Sequence, residues 1–174
     1  MKVYLNGVAV TSKSNTASIP TNDIPLYIGC FSPTSCNFNG TIDEVRIYNR
    51  ALTQEEIQAC YQNKNNCPTN GLVLYLPFDE GTGSTAHDYS MWRDSSQCIS
   101  GNCLRFDGNN DYVEIPDSNS LDITDEITIS VWIKIASFNK ASLDGMLVLN
   151  KYNSTIGSQY WINIDPNGTL NVGM

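Results

Sequence analysis

Carboxylates are the commonest groups in this sequence able to do chemistry: 18 Asp and Glu stand against 10 Lys and Arg, with one histidine. Hydrolysis of a glycosidic bond needs two carboxylates about 5–10 Å apart across a sugar cleft. Asp43 and Glu44 are adjacent in the strand-like TIDEVRIYN, so an extended backbone points them to opposite faces. Glu114, in DYVEI, has no close carboxylate partner on its own strand. His87 lies in a Gly/Ser/Thr loop without a nucleophile motif and reads as a solvated or hydrogen-bonded loop residue. Catalysis is not expected. Hard cations are better served, because Asp43, Asp79, Glu80, Asp88 and Asp107 fall at strand ends or in loops where oxygen ligands can gather. No single loop has EF-hand spacing.

Aromatic side chains offer a second chemistry, stacking against sugar rings. Alternation in QYWINID turns Tyr160, Ile162 and Ile164 inward and leaves Trp161, Asn163 and Asp165 outward. Trp132, between Ser130 and Lys134, also faces away from a row of aliphatics. Trp132, Trp161 and Asn163 form a candidate carbohydrate platform, with Tyr48 and Tyr152 as secondary members. The same tryptophans serve equally well to cover a second layer or a subunit contact.

The 6 cysteines fall into close pairs, Cys30/Cys36, Cys60/Cys67 and Cys98/Cys103. Many connectivities are possible. Local pairing is expected because each pair brackets a turn-rich loop, at roughly 2–3 kcal/mol per short bridge. No pair has CxxC spacing and His87 is distant, so disulfides are favoured over a metal and point to an oxidising, extracellular setting. Asn-x-Ser/Thr sites at Asn39, Asn153 and Asn167, all in loop-like surroundings, agree with a glycosylated surface protein.

The chain has 174 residues, enough for one sandwich with a proper core. A net charge of −8 argues against nucleic acid and anionic membrane surfaces, since phosphate binding needs Lys and Arg. The best apolar run, residues 71–78, falls far short of the ~20 residues a membrane span requires. Asn6-Gly7 interrupts the N-terminal apolar stretch, so an export signal would lie outside this chain.

These groups must be positioned by strands. Residues 104–135 hold the organising stretch, three period-two segments. The last and longest puts Ile127, Ile129, Val131, Ile133 and Ile135 on one face, a pattern expected near the middle of a sheet. Upstream, MKVYL turns through Asn6-Gly7 into VAV as a tight hairpin. Residues 41–49 form a strand with Val45 and Ile47 inward and Glu44, Arg46 and Tyr48 outward. Thr53 with Glu56 three residues on is a capping box that opens the only expected helix. Residues 62–70 are Asn-rich and read as a linker. Further strands are expected at residues 26–30, 146–151, 159–165 and 169–173, with a turn at Asp165-Pro166-Asn167-Gly168.

The stretch FDG-N-DYVEIPDS-SLDI-ITISVWIK resembles the first half of a laminin-G-like, concanavalin A-type jelly-roll module. MKVYLNGV, PLYIG and GTIDEVRIYNRALTQEEIQACY are similar to the closing half of the same module type. The resemblance implies an all-β antiparallel sandwich with one short helix, in which a closing half (residues 1–61) precedes an opening half (residues 71–174). It also implies a structural calcium near the FDG turn, held by Asp43, Asp79, Asp107 and the Gly108 carbonyl. The loop CFSPTSCNFNG carries no acid, so the family's other calcium position is not expected here. The ExDxxE-type pattern of the related glucanases is absent as well.

A chain that begins and ends inside strands exposes backbone edges. It is an excerpt of a tandem array, a permuted single sandwich, or a unit completed by neighbouring copies. The expected role is an extracellular or cell-surface adhesion module that assembles with copies of itself into an array or filament. The alternative is a carbohydrate-binding module, with or without calcium.

Overall fold

The computed structural model describes residues 2–12, 18–32, 35–36, 38–80, 85–90, 104–137, 145–153 and 157–173. Along the chain run β1 (Lys2–Leu5), β2 (Val8–Ser12), β3 (Leu26–Ile28), β4 (Cys30–Ser32), β5 (Ser35–Cys36) and β6 (Asn39–Tyr48). Helix α1 (Gln54–Gln62) and a 3₁₀ turn at Lys64–Asn66 follow, then β7 (Leu72–Leu76), β8 (Leu104–Asp107) and β9 (Val113–Ile115). A second 3₁₀ turn at Asn119–Leu121 precedes β10 (Thr128–Ile135), β11 (Met146–Asn153), β12 (Gly157–Ile164) and β13 (Leu170–Gly173). The β1–β2 turn uses Asn6 and Gly7 at φ 52° and 74°, the left-handed pair that a tight hairpin demands.

Two antiparallel sheets face each other, as the sequence leads one to expect. One has the order β10-β6-β7, with β8 also on β6; the other has the order β13-β12-β11-β3-β9. Leu26, Ile28, Ile42, Val45 and Ile47 are fully buried between them, with Phe38, Phe106, Met146, Val148, Leu149 and Ile162 in the same cluster. Strands from the first third are inserted among later ones in both sheets. β6 runs between β10 and β7/β8, and β3 between β11 and β9.

β10 does not lie mid-sheet. Among the described residues it is the terminal strand of its sheet, and its aliphatics Ile129, Val131, Ile133 and Ile135 are only partly buried. The central place belongs to β6, whose core-facing residues are covered completely. A row of branched side chains shows that a strand packs on a core; it does not show how many ladder partners the strand has.

The helix starts where the capping box puts it. Thr53 Oγ1 accepts from Glu56 N, and Glu56 Oε2 accepts from Thr53 N. Arg50 clamps the same carboxylate with two hydrogen bonds, at 2.8 and 2.7 Å. The Asn-rich residues that follow are not a free tether. Cys60 and Cys67 form a disulfide, and Arg50 Nε donates to the Asn70 carbonyl at 2.8 Å. Cys30 and Cys36 stand opposite each other in the β4–β5 register, but the Cys36 side chain lies outside the described residues, as does the Cys98/Cys103 pair. No described helix is long and apolar enough to cross a membrane.

Ile47 packs with no solvent exposure at the middle of this arrangement. Ile47→Ala is expected to cost about 2–5 kcal/mol, seen as a lower denaturant midpoint with an unchanged m-value.

Candidate functional site

A bulge in β6 decides where the carboxylates go. Arg46 lies opposite Ser130 and Asp43 opposite Trp132, so β6 has Glu44 and Val45 where β10 has Val131 alone. Glu44 takes up the extra residue at φ 55°. Ile42 and Val45 therefore both enter the core, and Asp43 and Glu44 are left together on the side away from it. The expectation that this adjacent pair points to opposite faces fails for that reason.

Around Glu44 the bulge builds a buried ionic cluster that alternation alone did not reveal. Glu44 is 2% exposed. Its Oε2 accepts from Arg46 Nη2 at 2.5 Å and from the Tyr75 hydroxyl at 2.9 Å, and its Oε1 accepts from Lys64 Nζ at 2.7 Å. Arg46 also lies 4.0 Å over the Tyr75 ring. Lys64 comes from the 3₁₀ turn next to the Cys60–Cys67 bridge, so the disulfide loop delivers the cation. Asp43 sits beside this cluster with its Oδ1 accepting from Glu44 N at 2.9 Å. Burial first, then the Glu44 carboxylate, push Asp43 up from 3.8 to about 6.

The four residues nominated for calcium do not converge. Asp43 and Asp79 are near enough to interact electrostatically. Asp107 pairs with Asn39 at the far end of β6, about 13 Å along the strand from Asp43 at roughly 3.3 Å per residue. Gly108 packs there against Asn39. Among the described residues no group of three His, Cys, Asp or Glu could hold a metal. Glu114 is on the opposite sheet. His87 packs edge-on to Tyr89, and its backbone N–H donates to Glu80.

The sugar-platform residues also separate. Trp132 is 40% exposed and stacks on Tyr61 of α1, ring centroids 5.4 Å apart and planes within 12°. Trp161 lies half-buried over Gly173, where a Cβ would meet the indole at 2.3 Å. Asn163 is half-buried beside it on β12. Tyr48 is not available at all. It is fully buried beneath the 50–64 segment, and burial pushes its hydroxyl up to about 12. The Tyr152 side chain lies outside the described residues. Among the glycosylation sites, Asn167 is exposed in its turn; Asn39 is a half-buried strand residue rather than a loop residue, and the Asn153 side chain is outside the described set.

What the structure adds is a groove of about 1000 Å³. It runs between the terminal strands β10 and β13, under the β1–β2 hairpin and α1. Ile129, Val131, Ile133, Leu170 and Val172 form its apolar wall, and the Trp132–Tyr61 stack borders it. Gln54 Nε2 donates to the Gly7 carbonyl at 2.8 Å and holds the hairpin to the helix. Leu5, Val8 and Val10 of that hairpin are more than half exposed.

Asp43 supplies a pH test. A carboxyl whose folded value is raised favours the protonated folded state, so it costs stability above about pH 6 and nothing below the ordinary value of 3.8. Asp43→Asn keeps an oxygen for Glu44 N–H. It is expected to stabilise the protein by about 1 kcal/mol above pH 6 after allowance for solvent screening. That gain should fade as the pH falls toward 4, in melting temperatures taken across a pH series.

Residues 1–58 match the family model described as the Concanavalin A-like lectin/glucanases superfamily, Laminin_G_3. Neither the curated proteins nor the solved structures give a significant match. The matched segment contains β6, the strand at the centre of the sheet that later residues complete, and the two-sheet antiparallel fold around it agrees with the laminin-G-like, concanavalin A-like family that this match supports.

Proposed function

We propose that this protein is an extracellular adhesion module that associates with further copies of itself through the side of the sandwich where β10 and β13 end their sheets. Laminin-G-like domains fit extracellular adhesion or lectin-like roles in general. One observation carries the finer reading: two strand edges without a ladder partner among the described residues flank the same apolar groove, and the exposed Leu5 and Val10 of the β1–β2 hairpin lie at its rim, with the exposed Val8 beside them in β2. An unpaired edge beside uncovered apolar surface is a template for an added strand. Among the described residues, the hairpin combines strands with exposed apolar side chains to offer.

A net charge of −8 sets the conditions, because copies repel at low ionic strength. Light scattering coupled to size exclusion is expected to show a mass that rises with protein concentration and with salt. Val8→Lys with Val10→Lys is expected to abolish the association without altering the circular dichroism spectrum. A wild-type protein that stays monomeric at all concentrations and salt levels would refute this reading.

The exposed Trp132 on Tyr61 favours the lectin alternative as a second reading, since one indole face remains open to a sugar ring. A glycan array with and without a chelator, repeated on Trp132→Ala, tests it. Binding lost in the variant supports it; no binding by the wild type removes it. Loss with chelator would bring calcium back into the account.

A further inference from the structure

Lys151 is the one lysine of the described residues with no solvent exposure. It lies on β11, an interior strand held by β12 on one side and β3 on the other. Its Nζ donates to the carbonyls of Asn22 at 3.2 Å and Ile24 at 2.9 Å, and makes a short contact with Asp117 Oδ1. Asp122 Oδ1 stands 3.6 Å from the same nitrogen and is itself held by Gln159 Nε2 at 2.8 Å. Among the described residues, Gln159 Oε1 is buried without a hydrogen-bond partner.

We propose that Lys151 and Asp117 join in an intramolecular amide bond, with Asp122 as the proton relay. Nζ gives one proton to the Asp117 carboxylate it touches. Its lone pair then attacks Asp117 Cγ, forming the C–N bond as the carbonyl π pair moves onto oxygen. Asp122 takes the next nitrogen proton and delivers it to the Asp117 hydroxyl, which leaves as water when the carbonyl re-forms. Ammonium plus carboxylate become amide plus one water, Asp122 is restored, and no oxidant or cofactor enters.

The surroundings favour each step. Two backbone carbonyls and an interior strand aim the nitrogen, which converts the encounter into a unimolecular event. Lys151 is sealed from solvent, while the Asp117 side chain is 25% exposed, so the released water has an exit. The product removes a buried ion pair and its desolvation cost. The amide keeps one N–H for Asn22 or Ile24, and the other carbonyl gives up a bond.

Mass spectrometry decides the question. The full chain, made without glycosylation and fully reduced, is expected to be lighter than its sequence mass by one water. Peptide mapping should find residues 117 and 151 in one branched peptide. Asp117→Ala and Lys151→Met should both restore the sequence mass. Asp122→Asn should slow bond formation about a hundredfold, the usual worth of a proton-transfer group, with the fold checked by circular dichroism. A folded wild type that holds its full sequence mass after long incubation overturns the proposal. So does a water loss that maps to a single peptide, such as a cyclic imide at Asp107-Gly108.

Discussion

The ladder made by β6 is the constraint on which the molecule rests. This strand pairs with β10 along nearly its whole length on one side, and on the other with β8 and then β7. β3 plays the same part in the facing sheet, between β11 and β9. Neither sheet is continuous without a strand from the first third of the chain. The two apolar faces can therefore be covered only when both segments are present, and the pairings that do so span up to about 120 residues of sequence, as from Asn150 to Tyr27. Contacts of that separation carry a large closure entropy, which only the burial of both apolar faces together can offset.

The bulge at Glu44 shows how that ladder accommodates a polar outer face under cover. A helix, a 3₁₀ turn and a disulfide loop lie over β6, so Glu44, Arg46 and Tyr48 are all buried although they point away from the core. Burying a lone carboxylate is costly. Here two cations and a phenol satisfy both oxygens, and the left-handed backbone at Glu44 is the strain that brings them within reach. Replacing Glu44 would leave Arg46 buried and unpaired, a larger loss than the net worth of the pair itself.

Much of the fold was legible because it rests on local signals. The Asn6-Gly7 turn, the capping box at Thr53 and Glu56, the inward Val45 and Ile47, and the inward Tyr160, Ile162 and Ile164 all follow from periods of two or from turn chemistry. The sites were less legible. Alternation breaks at a bulge, and nothing in TIDEV announces that Glu44 will adopt a positive φ. Tyr48 was misread because outward on a strand means exposed only if nothing covers that face. Trp132 was correctly turned away from the aliphatic row, but its stacking on Tyr61 depends on where the helix settles. Lys151 comes after Leu147-Val148-Leu149 and then Asn150 in its strand, and carries no local mark of its burial. Its partners lie 34 and about 129 positions away.

The position of β10 brings these points together. Edge strands are usually defended by charged side chains, proline or strong twisting. β10, TISVWIKI, has one lysine and the irregularity at Val131; β13, LNVG, has no charged residue at all. Both strands present partly buried aliphatics to the same groove, so the undefended backbone and the uncovered apolar surface coincide. In the proposed association, added strands from another copy would turn β10 into the mid-sheet strand that its four branched aliphatics describe. The mismatch between the pattern of β10 and its place in the single chain is what a neighbouring copy would resolve in that association.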